Sequence, residues 1–201
     1  MILHLDVASP VPEFHLINEN KVIQTIKIVQ DINQKLSDNI IPVYLKISKN
    51  YNLDTNISKL IITTGPGSYT ALRVGASFIA GLSQSMNLYV AEISNETIFD
   101  YLAYNNENTA LYFESSNKQK FLLFKKEQKF IHEKIEDDKY SLTKFFSKIV
   151  YNNKPPEFVN KDILLEVFSI KQIVLKNLHQ LDFKKNHTIL PIYISNNTLL
   201  N

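Results

Sequence analysis

Read by the spacing of its apolar residues, the chain divides into two runs of elements in the same order. Ile2 to Val7 is a short apolar run broken by His4 and Asp6, which predicts a buried strand. Pro10 and Pro12 bracket a bend, and Glu13 to Ile17 predicts a second strand. Asn18-Glu19-Asn20-Lys21 predicts a tight turn, because Asn tolerates left-handed backbone. Val22 to Val29 follows as a third strand, with Val22, Ile26 and Ile28 placed on one face. From Asp31 to Asn50, Ile32, Leu36, Ile40, Val43 and Ile47 recur at steps of three or four. That period predicts a helix, kinked or split at Pro42. Leu60 to Thr64 predicts a strand, Tyr69 to Met86 a helix and Leu88 to Ala91 a strand. Ser94 predicts the N-cap of a helix reaching about Tyr104.

The second run begins with strands at Ala110 to Glu114, Lys120 to Phe124 and Lys129 to Ile135, the last two joined by the polar turn Lys126-Glu127-Gln128. A helix from Ser141 to Tyr151, Pro155-Pro156, a short strand at Phe158-Val159 and a helix from Ile170 to Leu181 complete it. Only the order repeats; no residue-level repeat is visible. The order predicts an α/β protein of two similar halves, each a mixed sheet whose antiparallel meander is extended by parallel strands. The natural cut is at 105–108, dividing the chain into 1–104 and a smaller half 105–201. A single mixed sheet is the alternative.

Composition narrows the class. Hydrophobic residues are 44% of the 201, enough for a real core, and the net charge is only +2, which supplies no strong field for nucleic acid or membrane. The lysines are scattered along the chain, not gathered in a stripe. With no cysteine there is no thiolate nucleophile and no Cys-metal site. The opening Met1-Ile2-Leu3-His4-Leu5-Asp6 is unlike a signal peptide, and no apolar stretch approaches the roughly 20 residues that span a bilayer. The expectation is a soluble, cytoplasmic protein. The five histidines lack metal-ligand spacing, and His4 and His15 read as core or edge residues of strands. Glu133, Glu136, Asp137 and Asp138 read as a solvated turn, and the lysines among Phe121 and Phe124 as hairpin surface.

All four glycines fall between Gly65 and Gly81, and the single arginine, Arg73, lies among them. A strand ending Thr63-Thr64, a Gly65-Pro66-Gly67 turn and a helix point backbone N–H groups at one spot, which is how anions are held. Yet Gly75 is followed by Ala76-Ser77 where a P-loop needs Lys and Ser or Thr. Thr70 stands where a dinucleotide fingerprint wants a small residue, and Ser68 lacks the glycine of a hydrolase elbow. The alternative is a tight strand-to-helix turn capped by Ser68 or Thr70. Ala71, Gly75, Ala76, Ala80 and Gly81 make the helix small-sided, although glycine costs a helix interior about 1 kcal/mol relative to alanine. Close approach offsets such a cost, and the neighbour is either the protein's own sheet or a partner.

Thr64-Gly65-Pro66-Gly67-Ser68-Tyr69-Thr70-Ala71-Leu72-Arg73-Val74-Gly75 closely resembles the G-P-G-S-[FY]-T-G-L-R-[IV]-G segment of the TsaB (YeaZ) family. Ile2-Leu3-His4-Leu5-Asp6 is similar to the family's I-L-x-I-D opening, Leu102-Ala103 to the end of its S-x-x-x-L-x-x-L-A stretch, and Pro191-Ile192-Tyr193-Ile194 to its P-x-Y-L-R. The sequence departs from the family at Val7-Ala8-Ser9, at Ala71, at Ser195 and at Phe113-Glu114-Ser115-Ser116, where a D-A-R-like stretch is usual. The resemblance implies an ASKHA (actin-like, Hsp70-like, RNase H-like) duplicated fold. It also implies a non-catalytic subunit bound to TsaD, the enzyme that attaches threonylcarbamoyl to adenosine 37 of tRNAs reading ANN codons. TsaE completes the complex. It implies no cofactor on this chain alone, ATP at the complex with TsaD and TsaE, tRNA contact only through the complex, and a homodimer in the free state. On this reading Tyr69, Ala71, Leu72, Arg73, Gly75, Ala76, Ile79 and Ala80, with the helix near Asp31 to Asn50, are the candidate interface. Asp6, Gly65, Pro66, Gly67, Ser68 and Thr70 are either a structural turn or phosphate-facing. The competing class is an ASKHA-type ATP-binding kinase or hydrolase with Asp6 and the glycine turn at its phosphates.

Overall fold

The computed structural model describes residues 1–31, 33–102, 108–135, 146–152, 154–157, 161–185 and 188–193, and among these ten strands form two five-stranded sheets. Strands β1 (Ile2–Asp6), β2 (Glu13–Asn18) and β3 (Lys21–Lys27) make an antiparallel meander. Strand β4 (Lys59–Gly65) lies parallel to β1, and β5 (Tyr89–Ser94) parallel to β4, giving the order β3-β2-β1-β4-β5. The second sheet has the same plan. Strands β6 (Thr109–Glu114), β7 (Lys120–Lys126) and β8 (Lys129–Ile135) form the meander, and β9 (Lys148–Asn152) and β10 (Leu164–Phe168) extend it in parallel. The helices are α1 (Leu36–Tyr51), α2 (Leu53–Asn56), α3 (Tyr69–Met86), α4 (Asn95–Tyr101) and α5 (Ile170–Lys176).

Local chemistry explains how a chain with four glycines turns so often. Both meanders use two-residue turns with left-handed backbone at both central positions, Glu19 and Asn20 (φ 49° and 57°) and Glu127 and Gln128 (φ 51° and 64°). Asn52 and Asn87 take the left-handed position that ends α1 and α3, where glycine is the usual occupant. Ser94 caps α4, its hydroxyl accepting from the Thr97 N–H at 3.1 Å.

Strand alternation sorts the core. Leu3, Leu5, Phe14, Leu16, Leu60 and Ile62 face α1 and α3, where they meet Ile40, Tyr44, Ile47, Leu72 and Ile79. Ile17, Ile61 and Ile93 on the opposite face join Leu111, Phe113, Leu123 and Val150 of the second sheet, together with α4 and α5. The first sheet is therefore covered on both sides, and each fully buried Leu or Ile in it stabilises by roughly 1.5–3 kcal/mol. The outer face of the second sheet holds a smaller cluster of Ala110, Tyr112, Leu122, Ile135, Phe146 and Ile149.

Four expectations change. Val22 and Ile26 lie on opposite faces, because a bulge at Leu16/Ile17 pairs Val22 with Ile17 but Ile26 with Phe14. Helix α1 begins at Leu36 and runs unbroken across Pro42, which lies on the exposed side where water can solvate the carbonyl left without a donor. Residues 148–151, expected within a helix, belong to β9, with Ile149 and Val150 buried on opposite faces as a central strand requires. Strand β10 was not expected, and residues 141–145 and the Phe158-Val159 strand lie outside the described residues, as do Ile32, Ala103 and the 105–107 part of the cut. The last helix shortens to α5 plus a 3₁₀ turn at Leu178–Gln180. The chain beyond it returns to the first sheet: Val90 and Lys184 exchange backbone hydrogen bonds of 2.8 and 2.9 Å, and the Ile192 N–H donates to the Thr64 carbonyl at 2.8 Å.

The Ala71, Gly75 and Ala76 part of the small side of α3 is consumed by this packing, whereas Gly81 is exposed with nothing within 4 Å of a Cβ there. A Cβ built on Gly75 would lie 2.8 and 2.9 Å from the two methyl carbons of Val7, itself fully buried. Gly75→Leu is therefore expected to destabilise the isolated chain by about 1–3 kcal/mol through overpacking, read as a lowered urea midpoint with no partner present. An unchanged midpoint would show that the α3–β1 contact yields freely.

Candidate functional site

The Gly65-Pro66-Gly67 turn joins β4 to α3 through a cis Gly65–Pro66 bond, and Gly65 takes φ 101°, a conformation L side chains rarely adopt. A Cβ there would lie 2.9 Å from the Leu72 Cδ1 and 3.0 Å from the Ile192 carbonyl oxygen. One on Gly67 would lie 3.0 and 3.1 Å from the Ala8 Cα and carbonyl oxygen. The Pro66 carbonyl accepts from the Asn95 Nδ2 at 3.2 Å. Side chains at these two positions are excluded by Leu72 and by the backbone of Ala8 and Ile192, which is the close approach a tight strand-to-helix turn requires. Ser68 occupies the N-cap position of α3 but its hydroxyl makes no capping bond, and Thr70 is exposed in the first turn.

Asp6 ends β1 on the face toward the second sheet and spends its carboxylate locally. Oδ1 accepts from the Ala8 and Ser9 N–H groups at 3.1 and 3.2 Å, and Oδ2 accepts from the Ser9 hydroxyl at 2.5 Å. The Ser9 hydroxyl also accepts from the Asn152 Nδ2 at 2.9 Å, tying β1 to β9 across the two halves. Neighbouring polar groups line the same seam. His4 and His15 are cross-strand partners with rings 5.0 Å apart, and their nitrogens meet the hydroxyls of Thr63 (3.0 Å) and Thr25 (3.3 Å). Lys171 of α5 reaches Thr25 from the other half at 3.3 Å. Burial pushes the Asp6 carboxyl up to about 6, against the pull of its hydrogen bonds, and pushes His15 down to about 4 and His4 well below its usual range. Burial likewise raises Glu13, which Lys171 and Lys27 partly oppose. Among the described residues no group of three or more His, Asp or Glu comes together as a metal site would require. No local pattern marked the Asn152 and Lys171 partners, which the topology brings from more than a hundred residues away.

Of the eight residues expected at a partner interface, Ala71, Leu72, Gly75, Ala76 and Ile79 are buried in the protein's own core. The small-residue pattern signalled self-packing there, and that part of the expectation is corrected. Tyr69 and Arg73 do face outward, and Ala80 is half-buried. Arg73 donates to the Tyr69 hydroxyl at 3.0 Å with its guanidinium 5.2 Å from that ring, and Tyr193 packs on Tyr69 at 4.7 Å. Helix α1, held beside α3 by Tyr44 and Phe78 (ring centroids 5.3 Å apart), exposes Ile41 and Leu45 to 55% and 60%. These two break the stripe that marked the helix, since i and i+4 on its far side are apolar as well. That surplus was the legible signal for an outward apolar face.

These features define a class: two halves of one topology, a glycine turn closed by its own chain, and a helical pair presented outward, in a duplicated ASKHA-like fold. A family model described as TsaD: tRNA N6-adenosine threonylcarbamoyltransferase matches residues 22–162. Among solved structures, an uncharacterized protein with similarity to peptidase YEAZ from Pseudomonas aeruginosa shares 13% identity over 96% of this chain and 99% of its own, at a TM-score of 0.59. YeaZ from Pseudomonas aeruginosa shares 12% over the same fractions, at 0.58. At these identities the likeness shows the fold. No curated protein matches by sequence. The family match spans well over half of the chain, which belongs to the threonylcarbamoyltransferase family, with the TsaB (YeaZ) signature at Thr64 to Gly75.

The buried seam has a pH signature. Asp6 holds its proton up to about 6 in the fold but only to its ordinary 3.8 when unfolded, so its contribution to stability falls as pH rises between those values. His15 titrates at about 4 in the fold and 6.5 when unfolded, so its contribution rises with pH over that span. Urea titrations across pH are expected to show the wild type losing ground to Asp6→Asn and gaining on His15→Gln, each by at most about 1.4 kcal/mol per pH unit. Parallel curves for wild type and Asp6→Asn would mean that the Asp6 carboxyl is not shifted by folding.

Proposed function

We propose that this chain is a non-catalytic scaffold and activator subunit that binds a TsaD-type enzyme, within the complex forming threonylcarbamoyladenosine at position 37 of tRNAs reading ANN codons. The observation that carries the reading is the outward apolar face of α1 beside α3, with exposed Ile41, Leu45 and Tyr69 and the pre-oriented Arg73. Family membership supports it, because the resemblance implies that the helices of the first half pack against the equivalent helices of TsaD. Aromatic and arginine anchors around an apolar centre are the composition of binding hot spots. The same face serves a homodimer when the partner is absent, tRNA is reached through the complex, and ATP is used there by TsaD and TsaE, in the cytoplasm.

The enzyme alternative draws no support from the site. Asp6 is bonded to Ala8 and Ser9, and the glycine turn is closed by Ala8 and Ile192. Titration calorimetry of the isolated chain with ATP is expected to give no binding heat; saturable binding would revive an ATP-using role.

Leu45→Lys and Arg73→Glu alter exposed side chains and leave the core intact. Co-purification with the TsaD of the same source, followed by calorimetry, is expected to show a stable complex that each variant weakens about tenfold or more. A complex indifferent to both changes would place the interface elsewhere, and no complex at all would end the scaffold reading.

A further inference from the structure

We propose that β10 is a second, independent interface, at which two copies of this chain join edge to edge into one continuous ten-stranded sheet. Four strands end the two sheets, and three of those edges are closed to further pairing. Strand β5 is covered by the returning chain through the Val90–Lys184 pair, which shows what kind of element such an edge accepts. Strand β3 carries Lys21 and Lys27 at its ends, a bulge in its pairing and α5 beside it, held by Lys171 on Thr25. Strand β8 carries Lys129, His132, Glu133 and Lys134. Such charges, bulges and covers are how proteins keep sheet edges from pairing.

Strand β10, the counterpart of β5, has no bulge and, among the described residues, no cover. It reads Leu164-Leu165-Glu166-Val167-Phe168, pairs among the described residues with β9 alone, and exposes Leu164 and Val167 to 61% and 62% and Leu165 to 39%. Its one charge, Glu166, is bridged to Lys148 on the neighbouring strand. Unpaired backbone donors and acceptors on a strand edge require an extended partner.

The side chains say which one. The register with β9 puts Leu165 and Val167 on the face of Ile149, with Ile163 packed on the same cluster, and Glu166 on the face of Val150. Ile163, Leu165 and Val167 form a row symmetric about Leu165. A two-fold axis normal to the sheet at Leu165 sets Leu165 on its own copy and Ile163 opposite Val167 twice, all apolar on the outer face. The same register places Glu166 opposite Leu164, so no like charges meet. A second copy therefore satisfies the backbone and the side chains together.

The chain has no cysteine, so Leu165→Cys introduces a unique thiol. Directly opposed residues have Cα atoms about 4.5–5.5 Å apart, within the span of a disulfide. Mild oxidation of Leu165→Cys is expected to give a covalent dimer, while Ile23→Cys on the edge strand β3, 42% exposed, forms no crosslink. In a Leu45→Lys background, which disables the helical face, Val167→Lys, and separately Leu164→Lys, are expected to raise the dissociation constant of the remaining dimer about tenfold in sedimentation and to suppress the crosslink, with an unchanged circular dichroism spectrum. A Leu45→Lys chain that sediments as a monomer throughout, crosslinking of Leu165→Cys no faster than that of Ile23→Cys, or a dimer in that background untouched by both added lysines overturns the proposal. None of these outcomes depends on binding to TsaD.

Discussion

The backbone at the end of β4 is pressed so tightly against its surroundings that its two glycines leave no room for a Cβ. Gly67 meets the backbone of Ala8, and Gly65 meets Leu72 and the Ile192 carbonyl. One turn higher on α3, Gly75 sits against both methyls of Val7. These contacts fix the distance between α3 and the first sheet, and with it the line along which α1 lies, since Tyr44 and Phe78 interlock the two helices. The outward face of the helical pair is thus set by an inward constraint. The returning C-terminal segment belongs to the same knot, because Ile192 bonds Thr64 and Tyr193 rests on Tyr69.

Burial on both faces of the first sheet then dictates what its polar residues can do. Inner-face positions His4, Asp6 and His15 are buried along the seam with the second half and Glu13 is half-buried there, so their polar atoms turn to partners within the protein, His4 Nδ1 excepted. Asp6 finds Ala8 and Ser9, Ser9 finds Asn152, and the histidines find Thr63 and Thr25. A carboxylate that accepts three internal hydrogen bonds has a structural task, and the result is a polar clasp between the two halves.

Much of this was legible in the residues. The meanders, the helix from Tyr69 to Met86 and the Ser94 cap follow from apolar period and cap chemistry acting locally, and the duplicated order came with them. The failures share a cause. Val150 and Ile149 are apolar in succession because β9 is buried on both faces, and a short apolar run carries no period that separates strand from helix. The bulge that splits Val22 from Ile26 adds one residue to a pairing that the strand sequence does not record. Gly75 on α3 indicated close approach correctly, but the identity of the neighbour is a tertiary fact that Val7, 68 residues earlier, decides. Conversely, Ile41 and Leu45 stood in plain view as apolar residues on the wrong side of a helix.

The two halves share a topology but not a finish, and the difference follows from how much chain each spends outside its sheet. Between β4 and β5 the first half inserts α3, which covers the outer face, and residues returning from the far end close the edge of β5. Between β9 and β10 the second half has only residues 153–163, and the described ones form no helix. Val167 and Leu165 are exposed at that end of the sheet, and among the described residues the edge of β10 is unpaired. One strand plan thus ends in a covered edge at β5 and, among the described residues, an uncovered one at β10.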